Sequence, residues 1–139
     1  MTGSVSDAAR IRADEYWLIA RAGDDIPGIS RHPELAPSPA LFARYLREWK
    51  DCDPATWWPR YRRVFLDELS SPPQIAALRT LYRLALRGKT IALLCWCREP
   101  AFCHRSLVSD FLFRHGVEVR EYLPPQLQIS FPPVSSTRS

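Results

Sequence analysis

The chain has 139 residues, a formal net charge of +4 and a hydrophobic content of 46%. That length predicts one domain large enough to bury a core without staples, and that apolar fraction excludes a wholly disordered chain. No run of about 18 apolar residues occurs, and Met1–Arg12 lack the apolar stretch of a secretory signal, so neither a membrane span nor export is expected.

Residues 1–14 are polar and unpatterned and read as a flexible N-terminal segment. A single α/β domain is expected over 15–123, and the Pro- and Ser-rich residues 124–139 read as a tail. The aromatic and β-branched run Tyr16–Arg21 predicts the first strand. Gly23–Pro37 carries Pro27, Gly28, Pro33 and Pro37 and predicts a loop.

Three helix starts then repeat one pattern: Ser38-Pro39, Asp53-Pro54 and Ser71-Pro72. The cap side chain accepts an orphan backbone N–H, and proline at the first helical position has none to satisfy. Gln74 completes a capping box with Ser71. The helices are expected over Pro39–Lys50, over Asp53–Leu69 with a break at Pro59, and over Pro72–Arg87 with Gly88 as stop. On the third, Ile75, Leu78, Leu81, Tyr82, Ala85 and Leu86 share one face, and Arg79, Arg83 and Arg87 the other.

Thr90–Trp96 is apolar without alternation, as a central strand covered on both faces would be. A helix over Pro100–His115 and a strand over Val117–Leu123 follow, forming a βαβ unit. The expected fold is α/β and Rossmann-like: a small, mostly parallel sheet of about three to four strands with helices packed on it.

The segment after the central strand carries the chemistry: Cys95, Cys97, Arg98, Cys103, His104, Arg105 and Ser106. Ligand sites in such folds lie where a strand ends and the next helix begins, and a helix N-terminus attracts anions. A cysteine there has its thiolate stabilised by the helix dipole and by Arg105, so Cys103 and Cys95 are candidate catalytic thiols. Arg105, His104, Ser106 and Arg98 are candidate ligand-binding residues. A phosphatase-type loop, with arginine six places after cysteine, fails from Cys97 because that register lands on Cys103.

Cys95, Cys97, Cys103 and His104 supply the four ligands a zinc site needs. Neighbouring Cys103 and His104 diverge on a helix, so the chemistry is expected to require no cofactor, with zinc left open. His104 also shares a helix face with Leu107, Val108 and Phe111, where a histidine can be a hydrogen-bonded core residue. Cys95 can be a small buried hydrophobe, and Arg105 can pair with Glu99 or Asp110.

Seventeen of the nineteen Lys and Arg residues are arginine, which suits phosphate and carboxylate recognition. Trp57 and Trp58 followed by Arg60, Tyr61, Arg62 and Arg63 could stack and hold nucleic acid, or form a packed helix with a solvated face. Crowding of Cys95, Cys97 and Cys103, with Cys52 alone between Asp51 and Asp53, predicts free thiols and a cytoplasmic protein. Two flanking carboxylates disfavour a Cys52 thiolate.

The run Leu93-Leu94-Cys95 followed by Cys103-His104-Arg105-Ser106-Leu107 resembles the signature of the domain of unknown function 488 family. Leu35-Ala36-Pro37-Ser38, Trp49, Tyr61-Arg62 and Asp67-Glu68-Leu69 are similar to words in its members, so the resemblance spans about Pro37 to His115. The chain departs from the family pattern twice: Cys97 stands where many members carry glutamate, and Ala20-Arg21 where they carry Asp-Arg. The resemblance implies an α/β fold and a shared site, and no particular reaction. The expected function is binding of a small anionic ligand, nucleotide or phosphate-like, at Cys95–Arg105, with thiol chemistry as an extension. A nucleic-acid-binding module and a partner-binding protein with structural cysteines are the alternatives.

Overall fold

The computed structural model describes residues 1–97 and 100–123. Four strands, β1 (Thr2–Ser4), β2 (Glu15–Leu18), β3 (Ser30–Arg31) and β4 (Ile91–Cys95), form one parallel sheet in the order β1-β4-β2-β3. The helices are α1 (Pro39–Arg44), α2 (Pro54–Glu68), α3 (Pro72–Leu86) and α4 (His104–Arg114). The architecture is therefore α/β with a small parallel sheet, as the apolar runs and helix starts imply.

Every residue of β4 is buried, and the strand separates two cores. Ile91, Leu93 and Cys95 face the larger one, with Phe65 from α2, Leu78 and Leu81 from α3, and Leu107 and Val108 from α4. Ala92 and Leu94 face the smaller one, closed by Ile11 and by the 3-10 helix Val5–Arg10. Burial on both faces is the physical reason for the unbroken apolar run.

The N-terminus corrects the sequence expectation most. Residues 1–14 are not a loose end: β1 runs beside β4, pairing Thr2 with Leu93 and Ser4 with Cys95. The Met1 amino group donates to the Ile91 carbonyl at 3.0 Å. A strand of three residues has no period to read, and its pairing partner lies some ninety residues away. Its insertion also displaces the expected last strand. Val117–Leu123 reduces to one bridge between Thr2 and Glu121, so β1 lies between β4 and that segment.

Helix starts follow their local chemistry in two cases of three. Ser38 Oγ accepts the Leu41 N–H at 3.1 Å, and Asp53 accepts the Ala55 N–H at 3.1 Å. Ser71 makes no side-chain cap bond and Gln74 Oε1 is buried without a partner, so that capping box does not form. The α1 helix continues as a π-helical turn over Tyr45–Trp49. The α2 helix runs unbroken through Pro59; packing of Trp57, Tyr61 and Phe65 offsets the lost hydrogen bond, a cost of about 3 kcal/mol in an isolated helix. The expected loop at Gly23–Pro37 contains β3 and a 3-10 turn over Pro33–Leu35. On α3, Leu78 and Leu81 are buried, but Tyr82 and Leu86 are exposed. The α4 helix begins at His104 rather than Pro100. The expected tail at 124–139 lies outside the described residues.

The packed N-terminus carries a test. Ile11→Ala should cost about 2–4 kcal/mol in urea denaturation, as truncation of a buried Ile does. A loose end would lose under about 0.5 kcal/mol.

Candidate functional site

The strand order sets where the site lies. From β2 the chain proceeds to β3 on one side of the sheet; from β4 it proceeds through α4 to Glu121 on the other. Such a divergence leaves a crevice at the carboxyl ends of the two strands. Here it is a cleft of about 1030 Å³. Ala20–Asp24 line it from the end of β2, Cys95–Cys97 from the end of β4, and Tyr45, Tyr61 and Phe102 close its sides.

The loop after β2 is held by one side chain. Arg31 Nη1 donates to the carbonyls of Ala20, Arg21 and Ala22 at 3.2, 2.9 and 3.1 Å, and Nη2 donates to Gly23 at 2.8 Å. Trp96 Nε1 donates to the Ala22 carbonyl at 2.7 Å, which ties the two sides of the cleft together. A Cβ at Gly23 would fall 2.2 Å from the indole, and φ there is +90°. Glycine is required for both reasons.

Three thiols gather at the cleft floor. Cys95 and Cys103 are buried with their sulfurs 3.3 Å apart, and Cys97 is exposed. The three sulfurs lie within 4.8 Å of one another and, among the described residues, form the set that could hold a soft ion. His104, the fourth residue of that sequence-derived set, sets its Nδ1 3.8 Å from the Cys103 sulfur, while Nε2 donates to the Ile19 carbonyl at 2.6 Å and the ring lies edge-on to Phe65. It is a hydrogen-bonded core residue, and burial lowers its pKa and keeps it neutral.

Arg105 stands behind the sulfurs with no solvent exposure. Its Nη1 donates to Cys95 Sγ at 3.0 Å and to the Cys97 carbonyl at 2.5 Å. Its Nε and Nη2 donate to the two carboxylate oxygens of Glu121 at 3.2 and 2.8 Å. Among the described residues its carboxylate partner is Glu121; Asp110 pairs with Arg114 instead, and Glu99 and Arg98 lie outside the described residues. Ser106 Oγ turns back to the Cys103 carbonyl at 2.7 Å.

Electrostatics divides the thiols. The Cys97 thiol is pulled down to about 3, chiefly by hydrogen bonds to its thiolate from Cys103 and Cys95; partial burial opposes this and the Arg105 charge adds to it. Cys103 is pushed strongly up, first by its hydrogen bond with Cys95, then by that with Cys97 and by burial. The proton therefore stays on Cys103 and the negative charge on Cys97. This moves the candidate nucleophile from Cys103, which is 4% exposed, to Cys97. Cys95 and Cys97 alternate past the strand end, a spacing that puts both on one side of an extended chain. The sequence marks Cys97 as a candidate metal ligand, and only its exposure marks it as the accessible thiol. Tyr45, Trp96, Gly23 and Glu121 carry no motif that would mark them.

The tryptophan stretch resolves into packing. Trp57 is buried, donates to the Cys52 carbonyl at 3.1 Å and stacks on Trp49; Trp58 stacks on Tyr61. Cys52 is exposed and directs its thiol to the Glu48 carbonyl.

Two outcomes follow. Arg105→Met should cost about 3–5 kcal/mol in urea denaturation, because it strands Glu121 at a partly buried position. Iodoacetamide labelling of Cys97 should hold its plateau down to about pH 5, since a depressed thiol stays ionised as protons are added, whereas an ordinary thiol loses about tenfold per pH unit below its own pKa. A Cys97 labelling curve already falling at about pH 8 would refute the charge assignment.

Comparison with curated proteins and with solved structures gives no match. Residues 6–116 match the family model DUF488-N3a, described as the active DUF488-N3 subclade. That match takes in the strand–loop–helix segment from β4 to α4 and most of the chain, and begins just after β1. The chain belongs to the DUF488 family.

Proposed function

We propose that this protein binds a small, mainly apolar ligand in the cleft between β2 and β4 and attacks it through the Cys97 sulfur. The observation that carries the reading is the placement of one exposed cysteine at the end of the central strand, inside a cleft walled by aromatic side chains and backed by two buried thiols. The α4 N-terminus and Arg105 face this sulfur cluster, so the anion they stabilise is the protein's own thiolate. An anionic group on the ligand would instead meet Arg21, which lines the cleft. The reading invokes no cofactor. The description of the matched subclade as active agrees with a site that performs chemistry. Nucleic-acid binding through Trp57 is disfavoured by the burial of that ring.

Paired maleimides test the reading. N-phenylmaleimide should modify Cys97 at least about tenfold faster than N-methylmaleimide, with saturation, because the ring is first held in the cleft. Cys52, on the open surface, should show no such preference. Gly23→Val, whose side chain collides with the Trp96 indole, should abolish the preference at Cys97. Equal phenyl-to-methyl ratios at Cys97 and Cys52 in the parent protein would sink the proposal.

A further inference from the structure

Group transfer needs one nucleophilic sulfur, and this site holds three within 4.8 Å. Cys95 and Cys103 line the cleft but are almost fully buried, Cys97 is the exposed member, and both buried sulfurs lie within reach of the Cys97 sulfur. Cys95 is separated from Cys97 by Trp96 alone, too short a link for a relaxed disulfide, and its sulfur already accepts from Arg105. Cys103 stands six places after Cys97, a link long enough for a relaxed disulfide, and the two sulfurs lie within 4.8 Å. Of the described acid–base groups that line the cleft, Asp24 belongs to the loop after β2, and His104 is held by its Nε2 bond to the Ile19 carbonyl. What adjacent thiols do that a single one cannot is close a two-electron reduction as an intramolecular disulfide.

We propose that Cys97 and Cys103 form a redox pair that reduces a weak heteroatom–heteroatom bond, O–O or S–S, in a small molecule whose apolar body sits in the cleft. This rests on the cleft reading above and names its substrate class. With a hydroperoxide, the Cys97 thiolate forms an S–O bond to the terminal oxygen as the O–O bond breaks. The alkoxide leaves with the electron pair and takes a proton from solvent, giving the alcohol and a sulfenic acid on Cys97. The Cys103 sulfur then attacks the Cys97 sulfur; the S–O bond breaks and water leaves with the Cys103 proton. With an organic disulfide, Cys97 forms a mixed disulfide and releases one thiolate, and Cys103 displaces the second as a thiol. Both routes end in a Cys97–Cys103 disulfide, which an external dithiol returns to thiols by exchange.

The test treats the reduced full-length chain with cumene hydroperoxide in one arm and an aromatic disulfide, 5,5′-dithiobis(2-nitrobenzoate), in the other. The expected result in at least one arm is loss of two thiols, a Cys97–Cys103 disulfide in the peptide map, and reaction at least about tenfold faster than at Cys52. The reacting arm identifies the bond type. Cys103→Ser puts a good capping residue at the start of α4 and should stop the reaction at a dimedone-trappable Cys97 sulfenic acid or a stable mixed disulfide. Cys103→Ala, checked by circular dichroism, should do the same. Reaction no faster than at Cys52 in both arms, an unchanged disulfide yield in the Cys103 variants, or one zinc per chain released only with the three thiols would each overturn the inference. If both oxidants fail while N-phenylmaleimide still selects Cys97, the redox inference falls and the cleft reading stands. If the maleimide preference is also absent, the cleft reading falls as well.

Discussion

The buried guanidinium of Arg105 is the interaction on which the rest of the structure depends. It donates to Glu121 through two nitrogens, to the sulfur of Cys95 and to the carbonyl of Cys97. Glu121 in turn accepts from the Thr2 hydroxyl at 2.6 Å. One side chain thus joins the first strand, the central strand, the loop beyond it and the last described segment. A charge removed from water is tolerated only where its donors are met, and these bonds meet it with a carboxylate, a sulfur and a carbonyl. The arrangement orders the strand end that carries the thiols and places positive charge directly behind them.

The helices concentrate on one side of the sheet, and that asymmetry shapes the cleft. The larger core holds residues of α2, α3 and α4, while the opposite face is closed by Ile11 and a single 3-10 helix. Tyr45, Trp49, Trp57, Tyr61 and Phe65 form a continuous aromatic array that ends beside the thiols. Its members fill the core, and Tyr45, Trp57 and Tyr61 also wall the cleft. Apolar walls weaken the solvation of an anion, so the thiolate there depends on nearby hydrogen bonds and on Arg105 rather than on water.

Local chemistry made much of the fold legible. Ser38 and Asp53 cap the helices they precede, because a cap needs only the next two or three backbone N–H groups. The run Ile91–Cys95 announced a strand covered on both faces for an equally short-range reason. Ser71 and Gln74 obeyed the same local rule and made no cap, so tertiary packing outweighs even a good capping pair. Pro59 reads as a break until the burial of Trp57, Tyr61 and Phe65 is known. Thr2–Ser4 carry no pattern at all, yet stand next to the central strand.

The sequence by itself determined the chemical inventory and its address. Cys95, Cys97, Cys103, His104 and Arg105 had to fall at one strand–helix junction, because they are neighbours in the chain and the flanking apolar runs dictate the junction. It also determined that the elements build an α/β sheet. Tertiary structure alone decided which of the clustered sulfurs is exposed, that His104 donates to Ile19, and that Arg105 pairs with Glu121. These outcomes depend on where distant segments cross. Glu121 reaches Arg105 because β1 inserts beside β4, and the cleft opens because β2 and β4 lead the chain to opposite sides of the sheet. Burial and hydrogen-bond partners are properties of that crossing, and no spacing along the chain encodes them.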